Sequence, residues 1–190
     1  MAYNVSPSGD KKRLSFGPGN LFVNGSAITP DQTALTGDDI GFCRGSSINI
    51  TRQKLDVFQG SPRSLIETYA IQEDVTVNFT GLEWDPQKLV LALGSGDTAD
   101  STGSKDVLAF GGEITFTEVS LLFRHITPTG GTLEARVWKA QGLGEFPINF
   151  GDDLQEFAYN FRALESLKDW SLASLAANRR LVRLEFTRAP

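Results

Sequence analysis

Few side chains in this sequence could carry covalent or metal chemistry. Cys43 is the sole cysteine and His125 the sole histidine, so a thiolate with an imidazole base would have to be this pair, and nothing in the local sequence places them together. One cysteine also excludes an intrachain disulfide and a cysteine metal cluster. Asp97, Asp100 and Asp106 miss the spacing of a calcium loop. Gly103-Ser104-Lys105 lacks the adjoining Gly-Lys-Ser/Thr that reaches a nucleotide phosphate. The other acids are scattered, with no paired carboxylates and no nucleophile beside a base. Trp84, Trp138 and Trp170 would make a sugar-stacking platform, but each lies beside a strand or helix end, where a core or interface role explains it. No catalytic residue, cofactor or metal is expected.

Composition points the same way. A chain of 190 residues with 13 Phe, 19 Gly and a single Met fits one β-dominated domain spanning 1–190. Its net charge of −5 is uneven: residues 31–170 hold 21 acids and 11 bases, whereas both ends are basic. An acidic body argues against a nucleic-acid binder, because such affinity comes from neutralising phosphates. Basic ends on an acidic body suit either contact with another copy or simply solvated termini. No apolar run approaches a membrane span, and MAYNVSPSGDKKR lacks the apolar core of a signal peptide. A cytosolic site of synthesis is therefore expected, and the four Asn-x-Ser/Thr triplets at Asn4, Asn24, Asn49 and Asn78 are taken as chance.

The elements that would position anything functional centre on 64–96. From Thr68 to Phe79 the residues alternate, with Tyr69, Ile71, Val75, Val77 and Phe79 on one side and Thr68, Gln72, Asp74, Thr76 and Asn78 on the other, as in a strand with one dry and one wet face. Glu73 falls on the apolar side, so it needs a partner or a place near a sheet end. A helix follows over about 85–94. Asp85 is its cap, Pro86 its first residue and Gly94 its left-handed stop. Being apolar nearly all round, it must be covered.

Around this centre, residues 1–19 read as an extended N-terminal arm and Leu21–Val23 as a first strand closed by Asn24-Gly25. Residues 26–39 read as a loop. Residues 45–63 hold two short alternating pieces of opposite parity, which implies a turn or bulge near Arg52 to Lys54. This stretch reads as a hairpin or extended loop that solvates itself or docks on a partner. Residues 95–106 read as a flexible surface loop. Strands are expected over Ile114–Ile126, Leu133–Lys139, Leu154–Leu164 and Leu181–Arg188, with Phe157, Tyr159, Phe161 and Ala163 inward and Glu156, Asn160 and Arg162 outward. A turn or two of helix is expected within Ser171–Asn178.

The order FGPGNLFVNG (16–25), interrupted polar loop, ETYAIQEDVTVNF (67–79), short helix with LALG (91–94), FGGEITF (110–116) and VWKAQGLGEFPINFGDDLQEFAYNFRAL (137–164) resembles the major tail tube proteins of long-tailed bacteriophages. The resemblance covers most of the chain. It implies a mainly β, sandwich- or barrel-like subunit with one short helix, assembling into hexameric rings that stack into a hollow tail tube for viral DNA. It further implies a loop before the main strand that reaches the adjacent ring, here about 45–63, with Asn49, Thr51, Arg52, Lys54, Asp56, Phe58 and Arg63 as its contact candidates. The implied partners are further copies, a tape measure and a terminator protein, and DNA passing without specific binding, in a virion assembled in the host cytoplasm.

Physical estimates agree with that picture. Six subunits giving about four strands each, spaced roughly 4.8 Å apart and tilted about 40°, enclose a barrel near 48 Å across, wide enough for a duplex. The channel wall would be the wet face, with Thr68, Gln72, Asp74, Thr76, Asn78, Glu156, Asn160 and Arg162 as candidates. Hydrated Thr, Gln, Asn and Asp let DNA slide without sticking. The alternatives are a monomeric β-sandwich module that binds glycans, a tail terminator, and the inner tube of a contractile tail.

Overall fold

Alternating apolar and polar residues form strands here wherever one side can be buried, and seven strands result among the described residues. The computed structural model describes residues 19–24, 39–41, 43–94, 102–112, 116–128, 130–144, 155–170 and 172–188. The strands are β1 (Asn20–Asn24), β2 (Cys43–Gln59), β3 (Ser64–Gly81), β4 (Glu118–Ile126), β5 (Thr132–Gly142), β6 (Phe157–Ala163) and β7 (Val182–Thr187), with one α-helix among the described residues, α1 (Pro86–Leu93). All pairings are antiparallel, in the order β1-β4-β5-β6-β3-β2, and β7 pairs with β5. The registers place β6 and β7 end to end along one edge of β5, at Ala140–Gly142 and Thr132–Val137 respectively.

The sheet rolls on itself. In a flat sheet β1 and β2 would lie five strand spacings apart, roughly 24 Å. Instead the segment entering β2 returns to β1: the Ile40 amide donates to the Leu21 carbonyl at 2.9 Å, Asp39 bridges Phe22, and the Cys43 thiol donates to the Gly19 carbonyl at 3.1 Å. The mainly β, barrel-like fold expected from the sequence is what forms.

Inside lies one cluster drawn from Leu21 and Val23, Val75, Val77 and Phe79, Leu121, Val137 and Ala140, Phe157, Tyr159 and Phe161, with Leu89 and Ala92 of α1 as its lid. The helix has the boundaries its sequence signals. The Asp85 carboxylate accepts from the Gln87 and Lys88 amides at 3.0 and 3.3 Å, and Gly94 stops the helix at φ 75°. It sits so close to β5 that a Cβ on Gly142 would lie 1.8 Å from the Ala92 carbonyl oxygen. A second cluster, Leu122, Trp138 and Trp170, fills the other side of β4 and β5, which explains the unbroken burial of Val119–Leu122.

Three expectations change. Residues 45–59 form neither a hairpin of their own nor a loop: they belong to a 17-residue strand, and only 60–63 turn the chain. The anticipated irregularity is real, since Gln53 pairs with Gln72 and Lys54 with Ala70, which skips Ile71. Strand β4 begins at Glu118, not Ile114, with 113–115 outside the described residues. Within 172–178 no α-helix forms, and a single 3-10 turn spans Ala177–Arg179. The expected arm at 1–18, the loop over 26–38 and residues 95–101 of the surface loop lie outside the described residues.

Candidate assembly surfaces

Residues opposite each other in an antiparallel pair share a face, so the registers trace the wet surface across the sheet. One row runs Glu118, Gln141, Arg162, Thr76, Asn49 over five strands. A second runs Asn160, Asn78, Ser47, and Thr51 stands opposite Asp74. The structure thus brings Gln72, Asp74, Thr76, Asn78, Asn160 and Arg162 together and adds Asn49 and Thr51, which the sequence had placed in a separate loop. Glu156 joins by an ion pair with Arg44.

Charges on this face are answered locally. Arg162 Nε lies 2.8 Å from Asp74 Oδ1, and Lys139 Nζ lies 2.7 Å from Glu118 Oε1. The chemistry available is hydration and hydrogen bonding, with little net field.

Thr68 leaves the face that simple alternation assigns to it. Skipping Ile71 inverts the parity of β3, so Thr68 stands opposite Asp56, to which its hydroxyl donates at 2.7 Å, on the side away from Gln72. The same inversion brings Tyr69 onto the Gln72 side, opposite Leu55. Tyr69 and Ile71 were expected to be buried, yet both are exposed, because the body of the sheet ends before them.

Strand β3 touches β6 only from Thr76 to Gly81. From Val75 back to Ser64 its sole partner is β2, from Ile50 to Gln59, so twelve residues of β3 and ten of β2 make a two-stranded arm roughly 34 Å long at about 3.4 Å per residue. Glu73 sits where the arm leaves the body and pairs with Arg52 at 3.0 Å, the partner and sheet-end position that its sequence context demands. Beyond it, Leu55, Val57, Phe58, Leu65, Ile66 and Tyr69 are 39–56% exposed. Of the remaining loop candidates, Arg52, Lys54, Asp56 and Phe58 line the side opposite Asn49 and Thr51, and Arg63 lies in the turn. A two-stranded ribbon is marginal in water by itself, and large exposed apolar side chains grouped on one mark a contact surface.

The groups capable of chemistry are engaged elsewhere. Cys43 spends its thiol hydrogen on Gly19, and burial followed by the nearby Asp39 pushes its pKa up, away from thiolate reactivity. His125 is buried on β4 opposite Leu133. Trp138 and Trp170 meet edge to face at 5.2 Å in the second cluster, and Trp138 Nε1 donates to the Arg179 carbonyl, so the three tryptophans form no common platform. Among the described residues no group of His, Cys, Asp and Glu could hold a metal ion, and no helix is long and apolar enough to cross a membrane.

No family model matches the sequence, and no curated protein matches it. Among solved structures it is similar to a chain of the tail of an empty GTA particle, refined helically with C6 symmetry, at 11% identity and a TM-score of 0.34, over 82% of this chain and 96% of that one. A superposition at that level decides nothing about function.

Proposed function

We propose that the protein is a structural subunit of a phage-type tail tube. Copies join into hexameric rings, the rings stack, and viral DNA passes through the lumen to the host. The observation that carries this reading is the arm, a ribbon of roughly 34 Å whose apolar side chains a single copy leaves in water. Assembly covers them. The hydrated face formed by Gln72, Asp74, Thr76, Asn78, Glu156, Asn160 and Arg162 becomes the channel wall, where paired charges leave phosphates little to grip. Tape measure and terminator proteins would meet the ends of such a tube. The protein makes and breaks no bond; it conducts.

Negative-stain electron microscopy of the purified protein tests this, with long hollow tubes as the expected result. Deleting residues 46–60 would remove most of β2 with the arm. The cleaner variant replaces residues 54–71 by Asn-Gly, which closes a two-residue turn on the Gln53–Gln72 pair. Loss of tubes in this variant supports the reading. Full-length tubes from it, or only monomers from the unaltered chain at high concentration, overturn it.

A further inference from the structure

Beside the entry to α1, three carboxylates gather without a cation. Segments 39–41 and 81–85 lie against each other there: the Cβ that Gly41 lacks would fall 1.8 Å from Glu83 Oε2, and Asp39 accepts from the Gly41 amide at 3.1 Å. Asp85 caps α1 two residues after Glu83. None of the three forms an ion pair among the described residues, whereas Glu73, Asp74, Glu118, Glu134 and Glu156 each meet an arginine or lysine. The fully buried ring of Tyr159 packs on Gly81 close to Ile40. Its hydroxyl lies within electrostatic reach of Asp85 and Glu83 and has no hydrogen-bond partner among the described residues. Between the two acids Trp84 rests on Phe157 with ring centroids 5.7 Å apart, and 42% of it stays exposed. Carboxylates beside an open aromatic face are the surroundings that hold an ammonium or guanidinium group.

We infer that Asp39, Glu83, Trp84 and Asp85 seat the basic run Lys11-Lys12-Arg13 of the same chain. The charges match, three acids to three bases. The reach matches as well. Described residues begin at Gly19, whose carbonyl accepts the Cys43 thiol at 3.1 Å, two residues past Gly41. The basic run stands six to eight residues before Gly19, a span of up to roughly 20–28 Å. So short a tether holds the run near the seat at an effective concentration on the order of millimolar, well above that of a second copy in dilute solution. An ammonium bound there neutralises carboxylates that otherwise repel one another, meets the open face of Trp84 and gives the Tyr159 oxygen a donor. The seat needs no second copy and does not rest on the tail tube reading.

Two measurements on the full chain at low micromolar concentration test this. In the first, isotope-labelled and unlabelled chains are mixed, coupled with a carbodiimide and read by peptide mass spectrometry. Lys11 or Lys12 is expected to join Glu83, Asp85 or Asp39 in products of a single isotope. In the second, acetylation is expected to be roughly threefold slower at the Lys11 and Lys12 amines than at the exposed Lys105, and to reach the Lys105 rate in Glu83→Gln/Asp85→Asn, where the asparagine keeps the helix cap. Isotope-mixed products would assign the seat to another copy. Coupling only to other carboxylates, or acetylation that the double variant leaves unchanged, would show that the seat holds no basic run. Each of these outcomes overturns the proposal and leaves tube formation, read by microscopy, untouched.

Discussion

At the scale of single residues, Glu134 couples the fold to pH. Burial raises its pKa, but hydrogen bonds and charge from Arg136 and Arg124, at 2.6 and 2.8 Å, outweigh that and leave it below the ordinary value. A lowered folded pKa gives stability that is complete above the unfolded value near 4.5 and is lost as pH falls through the folded value. Glu134→Gln leaves two guanidinium groups without their anion and is expected to cost roughly 1–3 kcal/mol at pH 7. In chemical denaturation at a series of pH values, that difference shrinks as pH drops below about 4.5. Tyr159 is the contrasting case. Its ring is fully buried, desolvation followed by Asp85 and Glu83 drives its pKa far up, and its hydroxyl has no hydrogen-bond partner among the described residues. In a chain lacking residues 1–15, Tyr159→Phe therefore removes a desolvated hydroxyl that gains nothing in return, and the melting temperature is expected to hold or rise. On the polar face, Asp74→Asn releases Arg162 from its ion pair. Binding of a labelled DNA duplex at low salt is expected to tighten, with log K against log salt steeper by about one phosphate contact.

At the scale of elements, the contact of α1 with β5 is the tightest constraint in the fold. A methyl group at position 142 must push the Ala92 carbonyl aside, so Gly142→Ala is expected to lower stability by about 1–3 kcal/mol or more, read from the denaturation midpoint. The helix was legible to within a residue because its signals are local: a capping carboxylate, a proline and a left-handed glycine act within one turn. The arm was legible only in pieces. Alternation revealed the strand over 68–79 and a parity break near Arg52 to Lys54, but the break lies in the pairing of two strands, and its skipped residue, Ile71, belongs to β3. A single strand cannot show which of two partners carries the bulge, so Thr68 and Tyr69 were given the wrong sides. Trimming the arm at the Gln53–Gln72 pair is expected to leave the thermal melt of the body nearly unchanged, since residues 54–71 are all exposed.

At the scale of the whole molecule, the rolled sheet leaves the apolar side chains of the arm in water beside a polar face. This arrangement favours association driven by apolar burial, which strengthens with kosmotropic salt, whereas an assembly held by surface ion pairs would loosen. Sedimentation velocity across a concentration series should therefore show growth of large species promoted by sulfate. Dissociation by sulfate would instead point to the charged rows as the contact.

The sequence by itself determined the alternation of the strands, the helix and its stops, and the burial of every second side chain in β6, all of which depend on neighbours a few positions away. The tertiary structure decided which strands lie side by side, and so which polar residues share a face. It also decided where the body of the sheet ends. Leu55, Val57, Phe58, Leu65 and Tyr69 stand on both sides of the arm and remain in water, whereas Val75, Val77 and Phe79 are buried, because no third strand reaches the arm; alternation states that a side is apolar, and only the packing of distant segments supplies what covers it.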